Sequence, residues 1–118
     1  GGPAPPKQGW RVKVYELNSE GQWDDKGTGH IQCRVVEALG GPALCVSSEA
    51  DDSRQLVCSR VIDGDVYQRQ GDNIITWSDP GAGSADAGGA DLALSFQEND
   101  GCLDIWGRIC DVQGRFSS

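Results

Sequence analysis

The sequence predicts a mainly β domain of seven antiparallel strands that is closed by one C-terminal helix. Along most of the chain, short runs of alternating apolar and polar residues are separated by turns rich in Gly, Asn and Asp. Only near the C-terminus, from about 98 to 112, does the apolar spacing change to three or four residues. The length of 118 residues is that of one ordinary domain with a single core.

The strands are predicted from this alternation. Trp10, Val12 and Val14 alternate with polar residues, which is typical of a half-buried strand. Trp23 opens the returning segment after a polar turn at 18–21, and the strand of that segment follows at 30–39. Five further strand-like runs are bounded by turn residues and lie at 43–48, 54–61, 66–70, 73–77 and 92–96.

The last element is predicted to be an amphipathic helix. Its apolar residues fall on one stripe, and Gly114 follows as a C-terminal stop. The stripe comprises Cys102, Leu103, Trp106, Ile109 and Cys110.

These elements together predict a pleckstrin-homology-like superfold, a bent seven-stranded antiparallel sandwich or barrel with one helix across an open corner. It is the simplest assembly that buries both the strand faces and the helix stripe. We expect one domain over 10–114. Residues 1–9 are expected to be a disordered lead-in or an engineered remnant, 79–90 a flexible loop, and 115–118 a tail.

The charge balance bears on the class of partner. Eighteen Asp and Glu against ten Lys and Arg give a net charge of −8. Nucleic acid and anionic membranes are therefore not expected as partners, because both bind basic surfaces. No apolar run approaches the roughly 20 residues of a membrane-spanning helix.

The five cysteines indicate a reducing compartment. Their number is odd and no CxxC pair occurs, so neither a zinc site nor a redox site is indicated. Most of them lie in apolar strings, where a free thiol behaves as a small buried hydrophobe. We expect localisation in the nucleus and cytoplasm, although the sequence leaves disulfides open.

No catalytic, cofactor-binding or metal-binding constellation is apparent. His30 is the only histidine, and no nucleophile with an orienting acid can be assigned to it. The glycine-rich turn at 25–30 lacks the Lys-Ser/Thr and the helix start of a phosphate loop. The acid pairs at 24–25 and 51–52 lack the spacing of a calcium loop. We therefore expect no enzyme activity and no cofactor.

The aromatic residues divide into two groups. Three are assigned to the core: Trp10, Phe96 and Trp106. Four are not explained by the core alternation: Tyr15, Trp23, Tyr67 and Trp77. Tyr67 and Trp77 become neighbours when residues are counted outward from the turn at 71–72. Two interpretations remain open, a docking face for extended or proline-containing peptides and a satellite core cluster.

Three blocks of the sequence closely resemble one family. They are RVKVYELNSEGQWDDKGTGHI (11–31), YQRQGDNIITW (67–77) and LALSFQENDGCLDIWGRICDVQG (92–114). These blocks resemble the N-terminal domain of the protein phosphatase 4 regulatory subunit 3 family, also called Smek or falafel. The resemblance spans about 10–114 and implies an EVH1-type member of the pleckstrin-homology-like class.

The resemblance also implies a function. In that family the domain is a non-catalytic module that binds short linear motifs, typically an aromatic residue followed by a proline, and recruits their proteins. The rest of the full-length protein would contact the phosphatase 4 catalytic subunit and another regulatory subunit. Tyr15 and Trp23 match the first two members of the EVH1 aromatic cluster, and Ile74 stands where a Phe is expected. Tyr67 and Trp77 are the candidates for a replacement pocket.

Two alternatives remain from other classes. One is a phosphoinositide-binding pleckstrin-homology domain, which would need Lys and Arg gathered at the mouth of the sheet. The other is an intramolecular scaffold domain whose aromatic cluster packs against another part of a longer protein.

Overall fold

Seven antiparallel strands form one sheet in the computed structural model, which describes residues 9–83 and 88–114. In chain order the elements are β1 (Trp10–Leu17), β2 (Trp23–Val36), a 3-10 turn (Glu37–Leu39), β3 (Gly41–Ser48), β4 (Gln55–Arg60), β5 (Gln68–Gln70), β6 (Ile74–Asp79), β7 (Ala90–Phe96) and α1 (Asn99–Gln113). The sheet order is β4-β3-β2-β1-β7-β6-β5, and its two edge strands leave it open. This architecture confirms the predicted fold class.

The long strand β2 bends the sheet into two layers. Its first part, 23–31, pairs with β1, and its second part, 29–36, pairs with β3. Gly29 belongs to both pairings, and a Cβ there would overlap the carbonyl oxygen of Ser47 and come within 2.8 Å of a Val46 methyl. The strands approach so closely at this bend that only glycine fits.

Helix α1 covers the inner face of the bent sheet. Its C-terminal stop is confirmed, because Gly114 has φ +68° and donates its N–H to the carbonyls of Cys110 and Asp111. The predicted stripe is wrong at one position: Leu103 is 51% exposed, and Ile105 is buried in its place. Residues 103 and 105 both lie three or four positions from other apolar residues of the helix, so spacing alone allowed either one on the buried stripe. Packing against the sheet buries Ile105.

The three aromatic residues that the sequence assigned to the core lie in it or against it. Trp10 and Phe96 are buried, and Trp106 is half-buried against the core. The Trp10 indole N–H donates to a carboxylate oxygen of Asp104 at 2.8 Å, which ties β1 to the helix. Gly101 lies directly against the Trp10 ring, where an added Cβ would come within 2.8 Å.

Three of the predicted segments fall partly or wholly outside the described residues. These are the lead-in 1–9, the loop 79–90 and the tail 115–118, of which residues 1–8, 84–87 and 115–118 are not described. Within the first segment Gly9 is described, and it is buried.

Candidate peptide-binding groove

The outer face of β1, β7, β6 and β5 carries aligned rows of side chains. One row of cross-strand partners runs Tyr15, Ala93, Thr76, Gln68, and the next runs Lys13, Ser95, Ile74, Gln70. A groove of about 410 Å³ lies on this face. Its walls are Tyr15, Trp23, Gln70, Ile74, Thr76, Ala93 and Ser95. The structure thus brings together Tyr15, Trp23 and Ile74, three of the five predicted site residues.

A β-bulge places Trp23 on this face. Val14 pairs with Gly27, but the next residue, Tyr15, pairs with Asp25, so one residue of β2 is left unpaired. Because side chains alternate along a strand, the extra residue moves Trp23 from the inner face to the face of Tyr15. Gly27 takes φ +124° at the bulge and donates its N–H to the Asp25 side chain at 2.9 Å.

Trp23 also borders a second, adjoining cavity. This cavity has a volume of about 290 Å³ and includes the side of β5 and β6 near Val66. The full set of lining residues is Trp23, Val66, Gln68, Gln70, Thr76, Trp77, Ser78 and Asp91. Trp23 is 46% exposed and Val66 is 66% exposed, so two large apolar side chains face solvent beside an open cavity.

Tyr67 and Trp77 are buried, contrary to what the docking-face interpretation requires of them. They are neighbours as predicted, with ring centroids 5.6 Å apart, but only 4% and 3% of their surfaces are exposed. Trp77 alternates with Ile74 and Thr76 on β6, so it points inward while they face the groove. Its indole N–H donates to the buried Ser59 hydroxyl at 3.3 Å, which links β6 to β4 across the core. The satellite-core interpretation therefore describes these two side chains.

The Tyr67 hydroxyl is buried and has no hydrogen-bond partner among the described residues. Burial raises the pKa of this hydroxyl, and the nearby carboxylates of Asp65 and Asp79 raise it further. The segment before Tyr67 is held by α1, since the Gln113 side-chain amide donates to the carbonyls of Ile62 and Asp65 at 2.9 and 2.8 Å. Tyr67 and Trp77 thus form a rigid support beneath the groove, and a contact between either residue and a ligand stays a prediction.

The surroundings of the groove are acidic. Asp24 and Asp25 follow Trp23 directly and are exposed, and Asp91 lines the second cavity, where it accepts a hydrogen bond from Ser78. Lys26, a nearby cation, is paired with Glu16 at 3.6 Å. Carboxylates thus predominate near Trp23, while Lys13, in the row with Ser95 and Ile74, places one exposed cation on the same face of the sheet.

Sequence reasoning missed the polar and small residues of the groove. Gln70, Thr76, Ala93 and Ser95 carry no signal of their own, because polar residues on the outer face of a strand are ordinary. Only a correct prediction of the strand register would have identified them, since that register places Gln70 opposite Ile74 across a three-residue turn.

Among the described residues, no group of three or more His, Cys, Asp or Glu side chains is placed to hold a metal ion. No helix in the described part of the chain is both long and apolar enough to cross a bilayer.

The family model for the EVH1-like domain in PP4R3 protein matches residues 9–116. The chain belongs to this family. The resemblance inferred from the sequence blocks is thereby confirmed, and the bent sheet with its C-terminal helix is the EVH1-like fold.

Named relatives agree with the family model. Over 105 residues the chain is 48% identical to serine/threonine-protein phosphatase 4 regulatory subunit 3 of Drosophila melanogaster and 46% identical to Suppressor of Mek1 of Dictyostelium discoideum, with 89% of the chain covered in each case. An uncharacterized protein of Schizosaccharomyces pombe is 40% identical over 108 residues, or 92% of the chain. The matched region is 10%, 9% and 12% of these relatives, so the chain spans about a tenth of their length.

Proposed function

We propose that this EVH1-like domain is a non-catalytic recruitment module that binds short linear motifs of the type aromatic-x-x-Pro in the groove. The observation that carries the proposal is the convergence of Tyr15, Trp23 and Ile74 on one open outer face. The name of the Drosophila relative, a phosphatase 4 regulatory subunit, supports a regulatory role. Substrates bound here would be brought to the phosphatase 4 catalytic subunit through the rest of a longer protein, in the nucleus and cytoplasm.

The groove suits an extended peptide with two apolar anchors. The half-exposed Trp23 lines both cavities, so an aromatic anchor in one and a proline in the other can each pack against it. Gln70 and Thr76 border both cavities, and their polar groups can bond the peptide backbone between the anchors. Proline-containing motifs are partly pre-ordered, which lowers the entropy lost on binding.

The expected affinity is micromolar, about −8 kcal/mol. Such a motif buries little surface and still loses conformational freedom when it binds. Weak binding allows a substrate to leave after dephosphorylation.

The charges disfavour the phosphoinositide-binding alternative. Arg11 is paired with Glu49 at 2.8 Å and Lys26 with Glu16 at 3.6 Å, which leaves Lys13, among the described residues, as a single exposed cation on the groove face. A phosphoinositide headgroup needs several free cations gathered in one place. We propose that neither membranes nor nucleic acids are partners of this surface.

A peptide array probed with the purified domain tests the proposal. Aromatic-x-x-Pro peptides should be retained, and replacing either the aromatic residue or the proline by Ala should abolish retention. A flat response would contradict the proposal and favour the intramolecular scaffold. Co-sedimentation with phosphoinositide-containing liposomes is the parallel measurement, and retention there would favour the lipid-binding alternative.

A further inference from the structure

Two cysteines lie directly opposite each other on β3 and β4, two strands that line neither of the cavities described above. Cys45 of β3 is the cross-strand partner of Cys58 of β4. The residues beside Cys45 in β3, Leu44 and Val46, belong to the core, so the two cysteines share the outer face. Both carry free thiols.

The hydrogen-bond pattern fixes the type of this pair. The N–H of Val61 donates to the carbonyl of Pro42 at 2.9 Å, which makes that a hydrogen-bonded pair. Pair types alternate along an antiparallel ladder, so Cys45 and Cys58, three pairs further along the same register, form a non-hydrogen-bonded pair. In such pairs the Cα atoms are about 4.5 Å apart, within the range that a disulfide spans without backbone movement.

The two thiols differ in access to solvent. Cys58 is exposed on the edge strand, whereas Cys45 is 3% exposed. Burial, together with the neighbouring Cys58, raises the pKa of the Cys45 thiol to about 11. An oxidant therefore meets Cys58 first, and Cys45 is placed to react second.

We propose that Cys45 and Cys58 are an oxidative modification site that forms an intrachain disulfide when the domain meets hydrogen peroxide. The Cys58 thiolate attacks one peroxide oxygen, the O–O bond breaks, and the products are a sulfenic acid and hydroxide, which takes up a proton to become water. The Cys45 sulfur then attacks the sulfenic sulfur, the S–O bond breaks, and the thiol proton leaves with the hydroxyl as a second water. One peroxide is reduced to two waters while two thiols become one disulfide.

The disulfide ties the edge strand β4 to β3 and closes the segment 46–57. A cross-link over a loop of this length raises the melting temperature by about 5 °C or more. The pair lies at the β4 edge of the sheet and the groove toward the β5 edge. The oxidised domain should therefore be more heat-stable and bind ligands in the groove as the reduced domain does.

Peptide mapping after peroxide treatment tests this site cleanly. Trypsin cleaves after Arg34, Arg54 and Arg60, which places Cys45 in peptide 35–54 and Cys58 in peptide 55–60. The expected result is a monomer lighter by two hydrogen atoms, with these two peptides joined until a reductant is added. Cys58→Ser and Cys45→Ala should each abolish the joined pair.

Cys33→Ser is the matched control and should leave the joined peptides unchanged, because Cys33 pairs with Leu44 and so faces the core. The proposal would be overturned by a dimer linked through Cys58, or by Cys58 sulfinic acid with Cys45 still open to alkylation after unfolding. Either result would mean that Cys45 does not reach Cys58.

Discussion

The rings of Tyr67 and Trp77 pack at a centroid distance of 5.6 Å and an interplanar angle of 35°, and Trp77 lines the second cavity together with Trp23. The pair joins the residue before β5 to the middle of β6, and the Trp77 indole N–H donates to Ser59 of β4. These contacts connect the groove-bearing strands to the opposite edge of the sheet. The buried pair supports the groove, and the exposed side chains above it are free to contact a ligand.

Trp77→Ala is expected to destabilise the domain. Removing a buried Trp leaves a large cavity and an unpaired Ser59 hydroxyl, at a cost of about 3–5 kcal/mol. Urea denaturation of parent and variant measures this change. Trp23→Ala is the comparison, with an expected cost below about 1 kcal/mol because Trp23 is 46% exposed. Equal losses in the two variants would contradict the assignment of Trp77 to the core.

Gly29→Ala is expected to cost about 2 kcal/mol or more. A methyl group at this bend meets the Ser47 carbonyl and a Val46 methyl, and two strand pairings hold the backbone in place. Gly107→Ala is the matched control, since that helical glycine has nothing within 4 Å of an added Cβ and should gain about 0.5–1 kcal/mol. Thermal unfolding should show a lower melting temperature for Gly29→Ala and a higher one for Gly107→Ala. An unchanged melting temperature for Gly29→Ala would contradict the crowding at the bend.

Alternation and spacing predicted the strand count, the C-terminal helix and its stop at Gly114. They could not predict the side of the sheet to which Trp77 points, because the run Ile74 to Trp77 has apolar residues on both faces. They also could not predict the bulge beside Gly27, which moves Trp23 outward by a single unpaired residue. The resemblance to the family identified Tyr15, Trp23 and Ile74 as candidate groove residues. Their polar neighbours in the groove became visible only from the register of the paired strands. The sequence pattern thus predicts where the strands and the helix lie, whereas the face on which a side chain lies depends on how the strands pair in three dimensions.

The domain should lose stability at alkaline pH in the presence of a reductant. Burial raises the pKa of Cys45 and Cys102 from 9.0 to about 11. Between these values the unfolded chain has released both protons while the folded domain retains them, so stability is complete below pH 9 and falls as pH rises. At pH 10.5 the loss is about 1–2 kcal/mol per thiol. Denaturation at several pH values measures how steeply the free energy of unfolding falls with pH, and Cys102→Ala should make this fall less steep. An unchanged pH dependence in Cys102→Ala would contradict the raised pKa of Cys102.

Peptides flanked by Lys or Arg should bind more tightly than the same motif flanked by Asp or Glu. Asp91 lines the second cavity, Asp25 is the cross-strand partner of Tyr15, and the net charge is −8, so cationic flanks are attracted. Added salt should reduce the difference between the two peptides, since these exposed charges are screened. Fluorescence anisotropy at low and high salt gives both affinities, and a preference that is independent of salt would argue against charge as its cause.

The most direct test of the groove is isothermal titration calorimetry with one Phe-x-x-Pro peptide and three domains: the parent, Trp23→Ala and Leu103→Ala. Leu103 is the matched control because it is 51% exposed, close to the 46% of Trp23, and lies on α1 outside the groove. We predict micromolar binding by the parent, at least about tenfold weaker binding by Trp23→Ala, and unchanged binding by Leu103→Ala. Parent-like binding by Trp23→Ala would contradict the proposed site.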